Sequence, residues 1–309
     1  MLSIGRASYP FIGVLLALTL FQSTKALASG LMILYPEVRE PYSKVYQDII
    51  NGIKSSYTGH ITEIPLTDRQ GEDRYITAVR SNKPDKIIAL GRSALNLATR
   101  ITPEIPTIVG ATSATNLDLT GVSMIPDPAV VIARLHKLDN SLSSIHVVTN
   151  PKTKQRQLKA AKDYAHAKNI NFVVHEAKSV KAAAGQYRVL LNSLGKHDSI
   201  WLLQDQALSD TSLLSLILEI AWDRKIIVFS LNPTHVKRGA LFSVYPNNVA
   251  LGTRLGEIAS NHNFNVNSGQ KIEFLQNVLI AGNERTLRHL GLTEANQAHQ
   301  AHQVFDSTL

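Results

Sequence analysis

The chain has 309 residues, a formal net charge of +8, 6% aromatic residues and no cysteine. The missing cysteines exclude disulfides, thiolate metal sites and a cysteine nucleophile together. Basic residues are scattered except in "PKTKQRQLK" (151–159), which reads as a solvated helix face, so the basic stripe with stacking aromatics that nucleic-acid binding requires is not present.

At the N-terminus, Arg6 precedes the apolar run "FIGVLLALTLF" (11–21), and Ala26-Leu27-Ala28 supplies small residues where a signal peptidase reads. This pattern predicts a secretory signal peptide over residues 1–28, cleaved before Ser29. The apolar core is too short for a spanning helix, which disfavours an uncleaved anchor. With no cysteine to lipidate or to oxidise, the expected product is a soluble, non-lipidated resident of a bacterial periplasm. Roughly 280 residues then remain, enough for two domains with proper cores.

From Leu31 onward, short β-branched runs alternate with helical patterns. Strands are expected at "LMILY" (31–35), "HITEIPL" (60–66), "KIIAL" (86–90), "PTIVG" (106–110) and "GVSM" (121–124). A second series follows at "SIHVVT" (144–149), "NFVVH" (171–175), "SIWLL" (199–203), "KIIVF" (225–229) and "ALFSVY" (240–245). Between them lie expected helices over 41–54, where Val45, Ile49 and Ile53 form one apolar face behind Pro41, and near 70–80, 93–100, 128–138, 154–168, 180–194 and 209–222. Alternation of this kind implies parallel sheets with right-handed crossovers. The fold class read from it is α/β, with two doubly wound Rossmann-like lobes and a cleft between them.

A boundary falls near Gly121 to Asp127, where "GVSMIPDP" leaves the first series. After the second series, "SVYPNNVALGTRLGEIA" (243–259) carries Leu251, Leu255, Ile258 and Ala259 on one helical face, with Asn247 or Asn248 as the cap. Its glycines, Gly252 and Gly256, cost a helix roughly 1 kcal/mol each relative to alanine, so the shared face should need close approach. Arg254 and Glu257 rule out a membrane seam. The helix is expected to return to the first lobe and meet a sheet there. The domain reading is therefore 29–122 with about 247–278 for lobe 1, 123–246 with about 279–295 for lobe 2, and a flexible tail at 296–309. His299 and His302 lie in that tail three apart; a metal chelate and a frayed polar end both fit them, and the composition favours the latter.

The stretches "KPDKIIALGRSAL" (83–95), "IPTIVGAT" (105–112), "HVVTNPKTK" (146–154), "DSIWLLQDQAL" (198–208), "KIIVFSLNPTHVKRGALFSVYPNNVALGTRLGEIA" (225–259) and "RTLRHLGL" (285–292), taken in this order, carry a resemblance. The chain resembles exported ABC-transporter substrate-binding proteins of the periplasmic-binding-protein type I fold, in a branch with aromatic-amino-acid-like ligands. The resemblance implies a capped, glycine-paired helix after the last large strand, as Asn248, Gly252 and Gly256 look. It departs from the family at Gln204-Asp205-Gln206, where a turn with proline or threonine is usual. It departs again at Lys152-Thr153-Lys154, where an acidic residue with an Asn-Ser pair is often found.

Ligands in open α/β sheets bind beyond the carboxyl ends of strands. That rule selects Tyr35, then Gly91, Arg92 and Ser93, then Thr112 and Ser113 in the first lobe. In the second it selects Asn150, Gln204, Asp205 and Asn232, with Tyr245 at the crossing. Gly91 lets the backbone come close, and the helix opening near Ser93 offers N–H groups to a carboxylate. A plain N-cap at Ser93 and a solvated Arg92 are the alternative. Asp205 suits a ligand ammonium or a turn, and Tyr35 and Tyr245 suit stacking or lobe packing equally. The set fits a small zwitterion. No HExxH, P-loop, GxSxG or paired zinc spacing occurs, and "GRSALNLA" lacks the second glycine of a nucleophile elbow. No enzyme activity and no cofactor are expected. The expected partners are a small-molecule ligand and an ABC permease, or alternatively a membrane sensor served by the same fold.

Overall fold

A computed structural model describes residues 30–67, 71–101, 105–113, 119–203, 211–261, 272–292 and 303–305. The first half runs β1 (Gly30–Pro36), α1 (Tyr42–Ser56), β2 (His60–Leu66), α2 (Glu72–Asn82), β3 (Lys86–Leu90), α3 (Gly91–Thr99), β4 (Thr107–Thr112) and β5 (Thr120–Pro126). There follow α4 (Pro128–Leu138), β6 (Ser144–Thr149), a 3-10 turn at Pro151–Thr153, α5 (Gln155–Ala167), β7 (Asn171–Glu176), α6 (Val180–Ser193), β8 (Asp198–Leu202), α7 (Thr211–Asp223), β9 (Ile227–Ser230), α8 (Pro233–Lys237) and β10 (Phe242–Pro246). The chain closes with α9 (Asn248–Ser260), β11 (Ile272–Leu275), β12 (Val278–Asn283), α10 (Glu284–His289) and β13 (Gln303–Phe305).

Two sheets result. One has the order β11-β5-β4-β3-β1-β2 with every pairing parallel; the other is β13-β12-β10-β9-β8-β6-β7, antiparallel only between β10 and β12. Both are doubly wound, and the strand order reverses between β1 and β3 in the first and between β6 and β8 in the second. Each sheet is covered on both faces, which is why its central strands read as continuous apolar runs. The strands from the sequence pattern are all present. β11, β12, α8 and α10 are additional, and Gln303–Phe305, inside the segment read as a tail, pair in parallel with Ala281–Asn283.

Side-chain caps set several helix starts. Asp127 Oδ1 accepts from Ala129 N at 2.7 Å ahead of Pro128, and Ser179 Oγ accepts from Ala182 N at 3.2 Å. For α9 the cap is Asn247, whose Oδ1 accepts from Ala250 N at 3.1 Å; Asn248 is the first helical residue and not the cap.

α9 does return to the first sheet's layer, but its glycine face meets a helix rather than a sheet. A Cβ on Gly252 would fall 1.9 Å from the Ile49 carbonyl oxygen, and one on Gly52 would fall 2.0 Å from the Val249 carbonyl oxygen. Glycines on both sides therefore let α1 and α9 pack backbone to backbone. The contact is polar as well: Ser56 Oγ donates to Thr253 O at 2.8 Å, and Ser260 Oγ donates to Ser56 O at 3.2 Å. Lys86 Nζ closes the far end of α9, donating to Ala259 O at 2.6 Å and Asn261 O at 2.7 Å.

Candidate functional site

Crossovers leave in opposite directions at a reversal of strand order and open a crevice there. Tyr35 and Gly91 to Ser93 in the first sheet and Asn150 in the second stand at such reversals, while Thr112, Ser113 and Asn232 lie at the ends of strands beyond them. At the first sheet's reversal stand Tyr35, next to last in β1, and Gly91, Arg92 and Ser93, opening α3. Gly91 has φ +78°, a left-handed backbone that L side chains rarely adopt. A Cβ there would also lie 2.6 Å from the hydroxyl of Tyr46, on α1. The turn therefore requires glycine twice over, and the group that comes close is Tyr46. Ser93 is not the N-cap: Leu90 occupies that position, no side chain caps α3, and Arg92 and Ser93 stand exposed in its first turn.

Tyr46 was not indicated by the sequence, since the apolar stripe of α1 runs through its neighbours Val45 and Ile49 and nothing links it to a turn 45 residues later. With Tyr35 it lines a groove of about 470 Å³ between α1 and the β1–β2 edge, whose lining includes the Lys54–Glu63 ion pair at 2.6 Å. Burial raises the Tyr46 hydroxyl pKa. Burial first, then the neighbouring Glu63 carboxylate, raises that of Tyr35, so both are protonated donors at neutral pH.

The end of β4 is irregular. Ala111 has φ +51°, and the register with β5 shifts between Val109 and Thr112. A non-glycine residue held there costs about 1–2 kcal/mol, and such sites collect where a strand end is re-aimed. Here the shift sets the direction of Thr112, half-buried, and Ser113, exposed. Ser123 Oγ donates to Thr112 O at 3.1 Å and fixes that turn to β5.

On the second sheet, Asn150 follows β6 and Asn232 follows β9. Asn150 Oδ1 accepts from Lys152 N at 3.1 Å, and Asn232 Oδ1 accepts from Thr234 N at 3.0 Å. Both oxygens serve local turns, so the amide NH₂ is what each offers a ligand. Tyr245 lies in β10 opposite Leu279, half-buried, its hydroxyl pKa raised by burial. Asn248 Oδ1, one of the two caps the sequence offered for α9, is instead enclosed without a hydrogen-bond partner among the described residues. Gln204, Asp205 and Gln206, together with His299 and His302, lie outside the described residues.

The structure thus brings Tyr35, Gly91, Arg92 and Ser93 together at one reversal point, sets Thr112 and Ser113 on a neighbouring strand end, and puts Asn150 and Asn232 at corresponding ends of the other sheet. Among the described residues no group of three or more His, Asp or Glu is placed to hold a metal, and no helix is long and apolar enough to cross a membrane.

A family model described as ABC transporter substrate binding protein matches residues 76–272, more than half of the chain. No curated protein matches the sequence. Solved structures share the fold at low identity. The ligand-free, open substrate-binding protein with adhesive properties from Clostridium difficile gives a TM-score of 0.64 at 17% identity, covering 91% of this chain and 100% of its own. The ABC domain in complex with L-Trp from Streptococcus pneumonia gives 0.54 at 16%, covering 90% and 100%. The periplasmic ribose ABC transporter structure from Conexibacter woesei gives 0.51 at 15%, covering 85% and 96%.

Proposed function

Because the chain belongs to the ABC transporter substrate-binding protein family, we propose that it is an exported periplasmic protein. In this reading it captures a small, amino-acid-like solute between its two lobes and presents the closed form to an ABC permease. What supports the reading is that the candidate hydrogen-bonding side chains stand at the carboxyl ends of strands in two doubly wound sheets, on loops placed by rigid scaffolds. Tyr35 and Tyr46 supply aromatic surface with donor hydroxyls, Arg92 a cation beside the open N-terminus of α3, and Asn150 and Asn232 amide donors. The L-Trp complex of similar fold makes an amino acid the first ligand class to try. The work performed is differential binding of open and closed states, with no covalent step.

In a zwitterion complex Arg92 takes the ligand carboxylate and Asp205 the ammonium. The test is calorimetric titration of the twenty amino acids and of any co-purifying solute, into the parent, Arg92→Ala and Asp205→Ala. Each substitution should weaken binding by roughly 2–5 kcal/mol, the scale for leaving a desolvated charge unpaired. Loss in Arg92→Ala alone makes the ligand an anion without an ammonium. Unchanged affinity in both variants removes the zwitterion reading, and turnover of any tested solute removes the binding-only reading.

A further inference from the structure

Arg156 is the second residue of α5, in the layer of the second sheet, yet its guanidinium reaches the first. Its Nη1 donates to the main-chain carbonyl of Ile272 in β11, and its guanidinium carbon lies 4.8 Å from the centre of the Phe274 ring. β11 is the outer strand of the first sheet, paired with β5. The strand is itself fixed to that sheet's own layer. Ile272 and Leu275 are buried, and Glu273 receives two hydrogen bonds from Arg254 of α9, Nε at 3.0 Å and Nη2 at 2.9 Å. Arg156 therefore grips a rigid edge of one lobe from the other. A planar guanidinium suits this double contact, a directed hydrogen bond together with stacking on a ring, in a way an ammonium does not.

We propose that Arg156 is a latch between the lobes, a positioning residue that sets their relative angle and so the ease of closure on solute. This rests on the reading of the chain as a two-lobe solute-binding protein. The latch is six residues from Asn150, a candidate ligand donor, and the 3-10 turn Pro151–Thr153 joins the two. A ligand drawn against Asn150 acts on the same short segment that carries the grip. Contacts made in one lobe arrangement and lost in another are what bias such an equilibrium. The basic stretch that begins after Asn150 thus includes a cation, Arg156, that reaches the opposite lobe.

The test uses the mature chain without ligand. It has no native cysteine, so Ser81→Cys on α2 and Val189→Cys on α6, both exposed, accept a pair of spin labels whose separation is read by pulsed electron resonance. The parent should give one narrow distance distribution. Arg156→Ala should move or broaden it by about 3 Å or more, the scale of lobe rearrangement. Arg156→Lys, which can still reach the Ile272 carbonyl, should fall between, and Phe274→Leu should broaden it without touching the arginine. Distributions of Arg156→Ala and Phe274→Leu that superimpose on the parent overturn the latch. Should Arg156→Ala not fold, Phe274→Leu and Arg156→Lys decide alone. Failure to find a solute by calorimetry sinks the functional reading without altering this distance, so the two failures are told apart.

Discussion

Gly252 of α9 lies against the carbonyl oxygen of Ile49 in α1 so closely that a Cβ would sit 1.9 Å from it. Main chain cannot move aside as a flexible side chain does, so the two helices must separate when either glycine is enlarged. Gly252→Ala and Gly256→Leu should each destabilise the protein by about 1–3 kcal/mol in urea titrations. Gly185, in α6 with nothing within 4 Å of its would-be Cβ, is the control. There alanine should stabilise by up to about 1 kcal/mol, because the helix gains propensity without a clash. Melting of Gly252→Ala at or above the parent temperature would show that α1 and α9 are not in backbone contact.

Asp127 ties the crossovers together. Its Oδ1 caps α4, its Oδ2 accepts from Gln276 Nε2 at 2.5 Å, and its N–H donates to Leu275 O at 2.9 Å. Asp127→Ala should cost about 1–2 kcal/mol, the range for losing such a cap. Asp127→Asn keeps a capping oxygen and should retain most of that stability. Equal losses in the two variants would mean that charge, not the cap, is what matters.

Acid should weaken the second lobe through a chain of four groups. Ser144 donates its one hydroxyl proton to Asp198 Oδ1 at 2.6 Å, so its oxygen accepts from His146 Nε2 at 2.6 Å, and His146 Nδ1 is left to accept from His175 Nε2 at 3.0 Å. Protonating His146 breaks the last bond. Burial lowers both histidine pKa values below 6.5; at His146 the neighbouring His175 adds to this while Asp198 opposes it. In the unfolded chain both titrate near 6.5 and bind protons first as pH falls. Stability is therefore fully present above about pH 6.5 and is lost as pH falls from there through the lowered folded values. Melting temperature from pH 8 to 5 measures it, and the drop should shrink in His146→Gln. A flat profile in the parent would show that the pair does not titrate in this window.

Export rests on the N-terminal pattern. Expressed in a bacterial host, the protein should be released by osmotic shock, and intact mass should place the mature N-terminus at Ser29. A chain beginning at Met1 and retained with membranes would contradict the cleavage site read from Ala26-Leu27-Ala28.

The two doubly wound sheets are legible in the sequence, because apolar periodicity and turn residues are local properties and each strand declares itself within a few positions. "HITEIPL", "KIIAL" and "SIHVVT" became β2, β3 and β6 at the expected limits. The strand-end rule likewise selected Gly91 and Asn150 as candidates, and both stand at strand ends where the order reverses. β11 and β12 escaped, since four residues of "IEFL" and a run ending Gly282-Asn283 carry too little alternation to stand out. Which backbone the α9 glycines admit, that Tyr46 meets Gly91, that Ala111 is left-handed and where Arg156 reaches could not be read from the sequence. Each of these joins segments that are far apart in the chain or depends on how two layers stack. Periodicity says which face of an element is buried; the packing of whole elements selects what that face is buried against.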